Sequence, residues 1–371
     1  MVNEDSAMRV TAYLAAVKII SETVGSLPLI TYQKLEPRGK ARAPNHPVYE
    51  VLHDIANEEM TAFQLRETIQ GHAVSWGNGY AEIQRDRGGR VRGLWPLLPD
   101  RTWPERDPTT KKLRYRTTLT NGEQVILPFE NVLHIPGFGF DGIVGYNPVI
   151  LAKEALGLSL ATEEFGANFF GQGATPSGIV EYPGKLKEEA YQRYKKDVRT
   201  AHEGLGQAHR LMILEEGLKY HQVTIPPEAA QFLETRKFQV AEIARLFRVP
   251  PHMLAEMDKA TFSNIEQQSI DFVVNTLRSW LVRWEQQIGM KLFTASERRR
   301  GFFSEHLVDG LLRGDIKNRY NAYAIARQNG WYSVNDIREK ENENPVEGGD
   351  TYSMNGNMVP IDSTGEGGEN N

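Results

Sequence analysis

Cysteine is absent from all 371 residues, which removes disulfide staples, thiolate metal sites and a cysteine nucleophile, and fits a reducing compartment. Long apolar runs are also missing. None approaches the ~20 residues that cross a bilayer, and no charged-then-apolar leader precedes a small-residue cleavage site, so neither secretion nor membrane insertion is expected. The chain has no basic excess either: its net charge is -5, which argues against a protein that grips nucleic acid over a broad basic surface. The nine histidines form no i,i+4 pair and no metal-type spacing, so structural or surface roles are expected for them. There is no Gly-x-Ser-x-Gly elbow, no Walker A loop and no clustered acidic site of nuclease type. The adjacent carboxylates Glu163-Glu164 and Glu215-Glu216 point apart on a helix or strand and make no acid/base dyad. An enzyme is the weaker hypothesis.

What is present is an ordinary soluble composition, 40% hydrophobic and 25% charged, long enough for more than one core. The chain is organised around residues 226–293, which read as two helices separated by a proline-marked loop. Pro226-Pro227 opens the first, and Phe232, Leu233, Val240, Ile243, Ala244 and Phe247 recur at helical spacing. Charged residues from Glu228 to Arg245 fill the opposite face. Val249-Pro250-Pro251 stops the helix, because a residue before proline is pushed out of the helical region. After the loop, Ser263-Asn264-Ile265-Glu266 has the form of a capping box and starts a rod that runs to Phe293, about 45 Å at 1.5 Å per residue.

Upstream, the spacing predicts a helix from Val10 to Val24, a strand at Leu29 to Tyr32, and a helix capped by Thr61-Ala62-Phe63-Gln64 that ends at Gly77-Asn78-Gly79. A hairpin follows around Asp86 to Arg90, with further strands at Leu113–Leu119, Gln124–Leu127 and Val132–Ile135. Gly137 to Gly142 is a flexible connector, since it lacks the lysine of a phosphate loop. Asn147-Pro148 opens one long helix to Gly171. A compact β-α-β-β insert occupies the next fifty or so residues, carried at the tip of a helical hairpin. Beyond the rod come a basic run, Arg298 to Arg300, read as a solvated or intersubunit face; a strand near Phe302 to Leu307; a helix over Asp315 to Gln328; and one capped by Ser333 that runs through Glu343. From Glu341 onward there are seven acidic residues and no Lys or Arg, the composition of a disordered tail.

The order of elements resembles the portal proteins of tailed bacteriophages. The motifs are most similar to the HK97-type family: Ala16 to Val24, Trp76-Gly77-Asn78-Gly79-Tyr80, Phe232 to Arg236, Arg248-Val249-Pro250-Pro251-His252, Ser263 to Gln268 and Asp309 to Asp315, spanning roughly residues 8 to 352. Ser279 stands where that family often has proline, which leaves a kink in the rod open. The resemblance implies a multidomain α+β portal fold assembled as a dodecameric ring, through which a separate terminase motor pumps genomic DNA. It implies a wing at 1–146 with a return strand at 294–310, stem helices at 147–173 and 227–248, and a clip at 174–226. It further implies a tunnel loop at 249–262, a long wing and tunnel helix at 263–293, a crown at 311–345 and an acidic tail at 346–371. In that reading Met253, Glu256, Met257, Asp258, Lys259 and Phe262 line the DNA channel, and Glu188, Arg193, Lys196 and Arg199 dock terminase. The implied partners are further copies of the chain, the terminase large subunit, the major capsid or scaffold protein, a head-completion adaptor and double-stranded DNA read without sequence specificity. No membrane, cofactor or metal is implied, and the implied location is the virion's portal vertex, with assembly in the bacterial host cytoplasm. Two alternatives stay open: another ring-forming head-tail connector or tail component, and an enzyme that processes nucleic acid.

Overall fold

The computed structural model describes residues 2–119, 121–171, 179–181, 188–189, 191–193, 219–221, 228–255, 270–308, 311, 316–341 and 343–353. Helices and small antiparallel sheets alternate along it, an α+β arrangement. After one turn, α1 (Glu4–Ala7), the helix α2 (Thr11–Ser26) buries Tyr13, Val17, Ile20 and Val24. Strand β1 (Leu29–Lys34) then pairs with β2 (Lys40–Arg42) on one side and with residues Phe302–His306 on the other, so the far end of the chain returns to close its first sheet. Helix α3 (Pro47–His53) has no counterpart in the sequence reading: it has seven residues and its N-cap is His46, whose imidazole accepts from the Val48 N–H at 3.2 Å. Helix α4 (Ala62–Trp76) starts on the expected capping box, with the Gln64 N–H donating to Thr61 Oγ1 at 3.3 Å and the Thr61 N–H to Gln64 Oε1 at 3.0 Å.

The expected hairpin is β3 (Asn78–Arg85) and β4 (Val91–Leu97), its turn organised by Asp86 Oδ1, which accepts from the N–H groups of Gly88 and Arg90. Next come β5 (Thr102–Arg106), β6 (Leu113–Thr118), β7 (Gln124–Pro128) and β8 (Val132–Pro136). They complete two sheets of order β4-β3-β8 and β5-β6-β7. The unanticipated β5 contains Pro104, which a central strand would exclude and an edge strand accepts. Tyr80 and Tyr115 meet edge to face at 5.9 Å where the two sheets pack.

Asn147 caps α5 (Pro148–Leu151), its Oδ1 accepting from Val149 and Ile150. The single helix expected here is interrupted at Ala152 (φ -96°, ψ 18°) before α6 (Lys153–Gly171), a break nothing in the local sequence explains. Strands β9 (Ile179–Glu181) and β10 (Lys219–His221) pair antiparallel within the insert, and α7 (Glu228–Phe247) follows. The expected insert helix and the strand near Arg210 fall mostly outside the described residues, as does the Ser263 capping box.

The rod is described from Ile270. It opens with a π-helical stretch, Phe272–Leu277, before α8 (Arg278–Lys291). A π turn holds one more residue than an α turn and shifts the helical phase. Ile270 and Val274, which sequence periodicity assigns to the apolar stripe, are therefore exposed, while Phe272, Val273, Leu277, Leu281, Trp284 and Ile288 are buried. Trp284 is fully buried, and its indole N–H donates to Gln70 Oε1 of α4 at 2.8 Å. Ile20 and Val24 of α2, Leu65 and Ile69 of α4, and Leu133 and Ile135 of β8 complete the same core. Truncating Trp284 to alanine removes about 3–5 kcal/mol of packing.

The basic run after the rod is not simply a solvated face. Arg298 Nη1 donates to the carbonyls of Gly289 (3.1 Å), Met290 (3.4 Å) and Phe293 at the C-terminus of the rod, where cations offset the unsatisfied carbonyls. It belongs to α9 (Ala295–Arg299), and β11 (Phe302–His306) supplies the strand that pairs with β1. Then α10 (Ile316–Gln328) and α11 (Val334–Lys340) follow, the second capped by Ser333 and ending three residues before the expected Glu343. The expected unstructured tail begins in order: the Asn335 amide bonds the Val346 N–H and carbonyl and the Asp350 carboxylate, holding the chain as far as 350 against α11. Residues 354–371 of the acidic tail lie outside the described residues.

Three glycines let backbone touch backbone where α4 ends. Gly77 takes φ 79°, and its carbonyl accepts from the Gly137 N–H at 2.7 Å. A Cβ at Gly77 would lie 2.0 Å from the Tyr146 carbonyl oxygen, and one at Gly145 would lie 2.0 Å from that of Gly77. The connector 137–146 is consequently pinned, not flexible as its composition suggests. Asn78 Nδ2 donates to the Gly145 carbonyl at 2.9 Å, Asn78 Oδ1 accepts from the Gly145 N–H at 2.8 Å, and Asp141 Oδ1 accepts from Ile143 and Val144. His134 Nε2 donates to the same Asn78 oxygen at 3.0 Å, so its Nδ1 accepts from the Tyr115 hydroxyl at 3.2 Å. The imidazole is neutral, and burial, with the Lys291 charge adding to it, pushes His134 down to about 3.

The pH dependence follows from that shift. In the unfolded chain a histidine titrates near 6.5, whereas folded His134 stays neutral until about pH 3. Between those values the unfolded state holds the extra proton, so stability falls as pH is lowered through the window. His72, pushed to about 4 by burial, acts in the same direction. A His134→Gln variant should lose less stability than the wild type between pH 7 and pH 4 in urea unfolding. Identical slopes for the two would show that His134 does not titrate with folding.

Candidate functional site

The functional geometry centres on the root of the loop that follows α7. That helix ends as Arg248 enters the left-handed region at φ 56°, and the Val249 N–H reaches back to the Ala244 carbonyl at 3.0 Å. Val249 and Pro250 are buried, and a single 3-10 turn, Pro251–Leu254, sets Met253 and Leu254 against the core. Ala255, also left-handed at φ 62°, ends that turn. From the rod, the Thr276 hydroxyl of the π-helical stretch donates to the Arg248 carbonyl, tying the root of the loop to the rod.

Among the proposed channel residues, Met253 is therefore a half-buried anchor of this root. Glu256, Met257, Asp258, Lys259 and Phe262 lie outside the described residues. Of the four proposed docking residues, Glu188 and Arg193 are exposed on a helical segment, where Glu188 Oε1 accepts from Gln192 Nε2 at 2.7 Å. Lys196 and Arg199 lie outside the described residues, and among the described residues nothing brings the two groups together.

Helices α6 and α7 lie side by side. Gln239 Nε2 donates to Thr162 Oγ1 at 2.9 Å and Arg236 stands 3.5 Å from Glu163, a pairing in which one number rises as the other falls, so the two run antiparallel. They carry uncovered apolar side chains: Leu158, Phe165 and Phe238 are each more than half exposed. Among the described residues no group of three or more His, Asp or Glu side chains is placed to hold a metal ion, and no helix is long and apolar enough to cross a membrane.

A helical pair rooted in the core, an insert between its helices and a loop tied at its base is a distinctive order. The family model described as "Phage portal protein" matches residues 11–342. The chain belongs to the phage portal protein family. It is 35% identical over 361 residues to the "Probable portal protein" of Streptomyces phage phiC31, covering 94% of this chain and 78% of that one. To the "Portal protein" of Enterobacteria phage HK97 it is 30% identical over 367 residues, covering 98% and 86%. Its fold matches a chain in the neck of a native gene transfer agent particle computed with C12 symmetry, at a TM-score of 0.67 and 23% identity over 92% of this chain and 94% of that one.

Membership in the portal family gives the sequence motifs physical content. Trp76-Gly77-Asn78-Gly79-Tyr80 is the glycine crossing, with the Asn78 amide bridging Gly145. Arg248-Val249-Pro250-Pro251-His252 is the loop root. Sequence reasoning missed Thr276, which sits inside an apolar stripe with nothing to mark its hydroxyl as a tie between distant segments. It also missed the exposed aromatics of the pinned connector, Phe138 and Phe140.

Thr276→Val keeps the shape and removes the donor to the Arg248 carbonyl. It should cost about 1 kcal/mol, the usual net worth of such a bond. The loss should fall on the loop root, so hydrogen exchange should accelerate at 249–255 and at the start of the rod while β3 and β8 stay protected. Uniform acceleration across the chain would assign Thr276 to global stability instead.

Proposed function

We propose that this chain is the portal subunit of a tailed-phage particle, assembling as a ring of about twelve copies, the count implied by the C12 neck of the related particle, around a channel for DNA packaging and ejection. The observation that carries the reading is the antiparallel pair α6 and α7, long, two-faced and partly uncovered, rooted beside a loop whose base is tied at Arg248 and Thr276. Such helices leave apolar surface that a neighbouring copy in a ring would cover.

In this reading residues 1–146, with the strand at 294–310, form the wing. The stem comprises 147–173 and 227–248, and the clip is 174–226. The tunnel loop is 249–262, the long helix 263–293, the crown 311–345 and the acidic tail 346–371. The clip lies at the tip of the helical hairpin, the most protruding surface in this order of elements, and there docks the terminase large subunit through Glu188, Arg193, Lys196 and Arg199. The ring sits at the capsid vertex of the virion, after assembly in the host cytoplasm, against the major capsid or scaffold protein and a head-completion adaptor. The energy for translocation comes from the terminase ATPase, so the subunit itself works as a channel and dock.

The tunnel loop carries Lys259 against Glu256 and Asp258, which makes it slightly repulsive to DNA. That suits a wall the duplex must slide past, because every phosphate neutralised would have to be released at each step. Met257 and Phe262 supply bulk without charge.

Imaging of purified protein should show rings with a central hole. A stable monomer at every salt and protein concentration would defeat the proposal. In filled particles, a photoreactive residue at position 258 should crosslink to the packaged DNA; rings that fill normally and give no adduct would remove the channel role from the loop.

A further inference from the structure

A cavity of about 430 Å³ lies beside the loop root, between the end of α4, the pinned connector, the last turn of α7 and the rod. Two features of its wall are unusual together. One is a pair of like charges. Arg248 and Arg283 both line it, and Arg283, half-buried, lies 4.8 Å from the centre of the Trp280 ring. Burial, and then the positive charge of Arg248, hold the Arg283 guanidinium below its ordinary range. Among the described residues neither guanidinium makes an ion pair with a carboxylate. The neighbouring polar groups are already committed, Thr276 to the Arg248 carbonyl and Ser279 to the Thr276 carbonyl at 3.3 Å.

The other feature is an apolar rim. Phe138 is 77% exposed and Leu151 68%, both lining the mouth, and Phe140, in the same connector, is 90% exposed. Phe138 and Phe140 have not folded inward because the connector is held by Asn78 and Asp141 in a shape that presents them. Large apolar groups displayed on a rigid loop are the mark of a surface that something covers.

The occupant must bring an anion to the arginines and apolar surface to the rim. A DNA phosphate satisfies the first requirement and leaves Phe138 and Leu151 in water. A protein segment bearing a carboxylate satisfies both, since a guanidinium binds a carboxylate with two parallel N–H donors. In a closed ring of identical subunits each copy presents one surface to the neighbour on one side and a different surface to the neighbour on the other, so a receptor on one copy meets a donor on the next. The chain has such donors: Glu154 and Glu164 of α6 and Glu234 of α7 are exposed and make no ion pair among the described residues.

We infer that this cavity is the receptor for a carboxylate-bearing segment of the adjacent copy, with Arg248 and Arg283 holding the carboxylate and Phe138 and Leu151 closing over the apolar part of the same segment. The inference rests on the ring proposed above. It adds a direction to that ring, because the receptor on one copy takes its carboxylate from the next.

The test compares assembly of full-length wild type, R248Q/R283Q and F138S/L151S by light scattering and imaging across protein concentration and salt. Near-UV circular dichroism and thermal melting of dilute protein check that each variant folds. Both variants should need about tenfold more protein to form rings, the effect of losing a charge-assisted contact or two buried apolar side chains. Raising salt from about 0.1 M to about 0.5 M should weaken wild-type assembly and leave R248Q/R283Q unaffected. Folded variants that assemble at wild-type concentrations with wild-type salt dependence would overturn the inference. So would normal assembly with loss of duplex binding, which would assign the arginines to DNA. If the wild type itself forms no ring, the portal reading fails; if wild type and variants form rings alike, only the receptor fails.

Discussion

The subunit depends on one close crossing of backbone over backbone. Gly77 joins α4 to β3 and receives the connector at Gly137 and Gly145, and neither Gly77 nor Gly145 has room for a side chain. The direction in which the chain leaves the sheets is decided there, a few residues before Asn147 caps the short α5 that leads into α6. The Asn78 amide joins that crossing to the buried Tyr115 and His134, and through them to the packing of one three-stranded sheet against the other. Core, sheets and the exit of the helical hairpin are thus one mechanical unit.

A second constraint acts where the other helix of the hairpin returns to the same base. Chain leaving α7 is held by the buried Val249-Pro250 step and by the Thr276 hydroxyl, so the root of the loop is fixed to the rod. The rod that follows is locked at Trp284 and Gln70 and closed at its C-terminus by Arg298. Rigid roots on both sides allow an insert and a loop to vary in length and chemistry while the body that carries them stays unchanged.

Much of this was legible where a local rule acts alone. Thr61 with Gln64, Asn147 before Pro148, Ser333 at a helix start and the Asp86 to Arg90 turn each satisfy their own backbone groups within a few residues, so composition and spacing are enough. Elements decided by distant partners were not legible. Helix α3 is too short for periodicity and is capped by a histidine that also meets Glu297. Strand β5 hides behind Pro104, and Arg298 looks like a surface charge until the carbonyls of the rod are placed around it. The connector looked flexible because glycine enrichment describes an unfolded preference; the same glycines permit an approach tight enough to pin it. At the site, the motif around Arg248 was visible, but the tie from Thr276 and the facing Arg283 belong to a segment some thirty residues away and appear only once the π-helical stretch sets its phase.

That stretch gives the rod two apolar faces where an uninterrupted helix would have one. Phe272 and Val273 at its start, and Leu277, Leu281, Trp284 and Ile288 from its end onward, face the subunit's own core, while Ile270 just before it and Val274 within it are turned to the outside. Within a single turn the helix changes allegiance, from holding its own fold to offering a greasy surface to whatever lies alongside. One inserted residue, neutral in composition and invisible to periodicity, thereby makes one continuous helix bivalent.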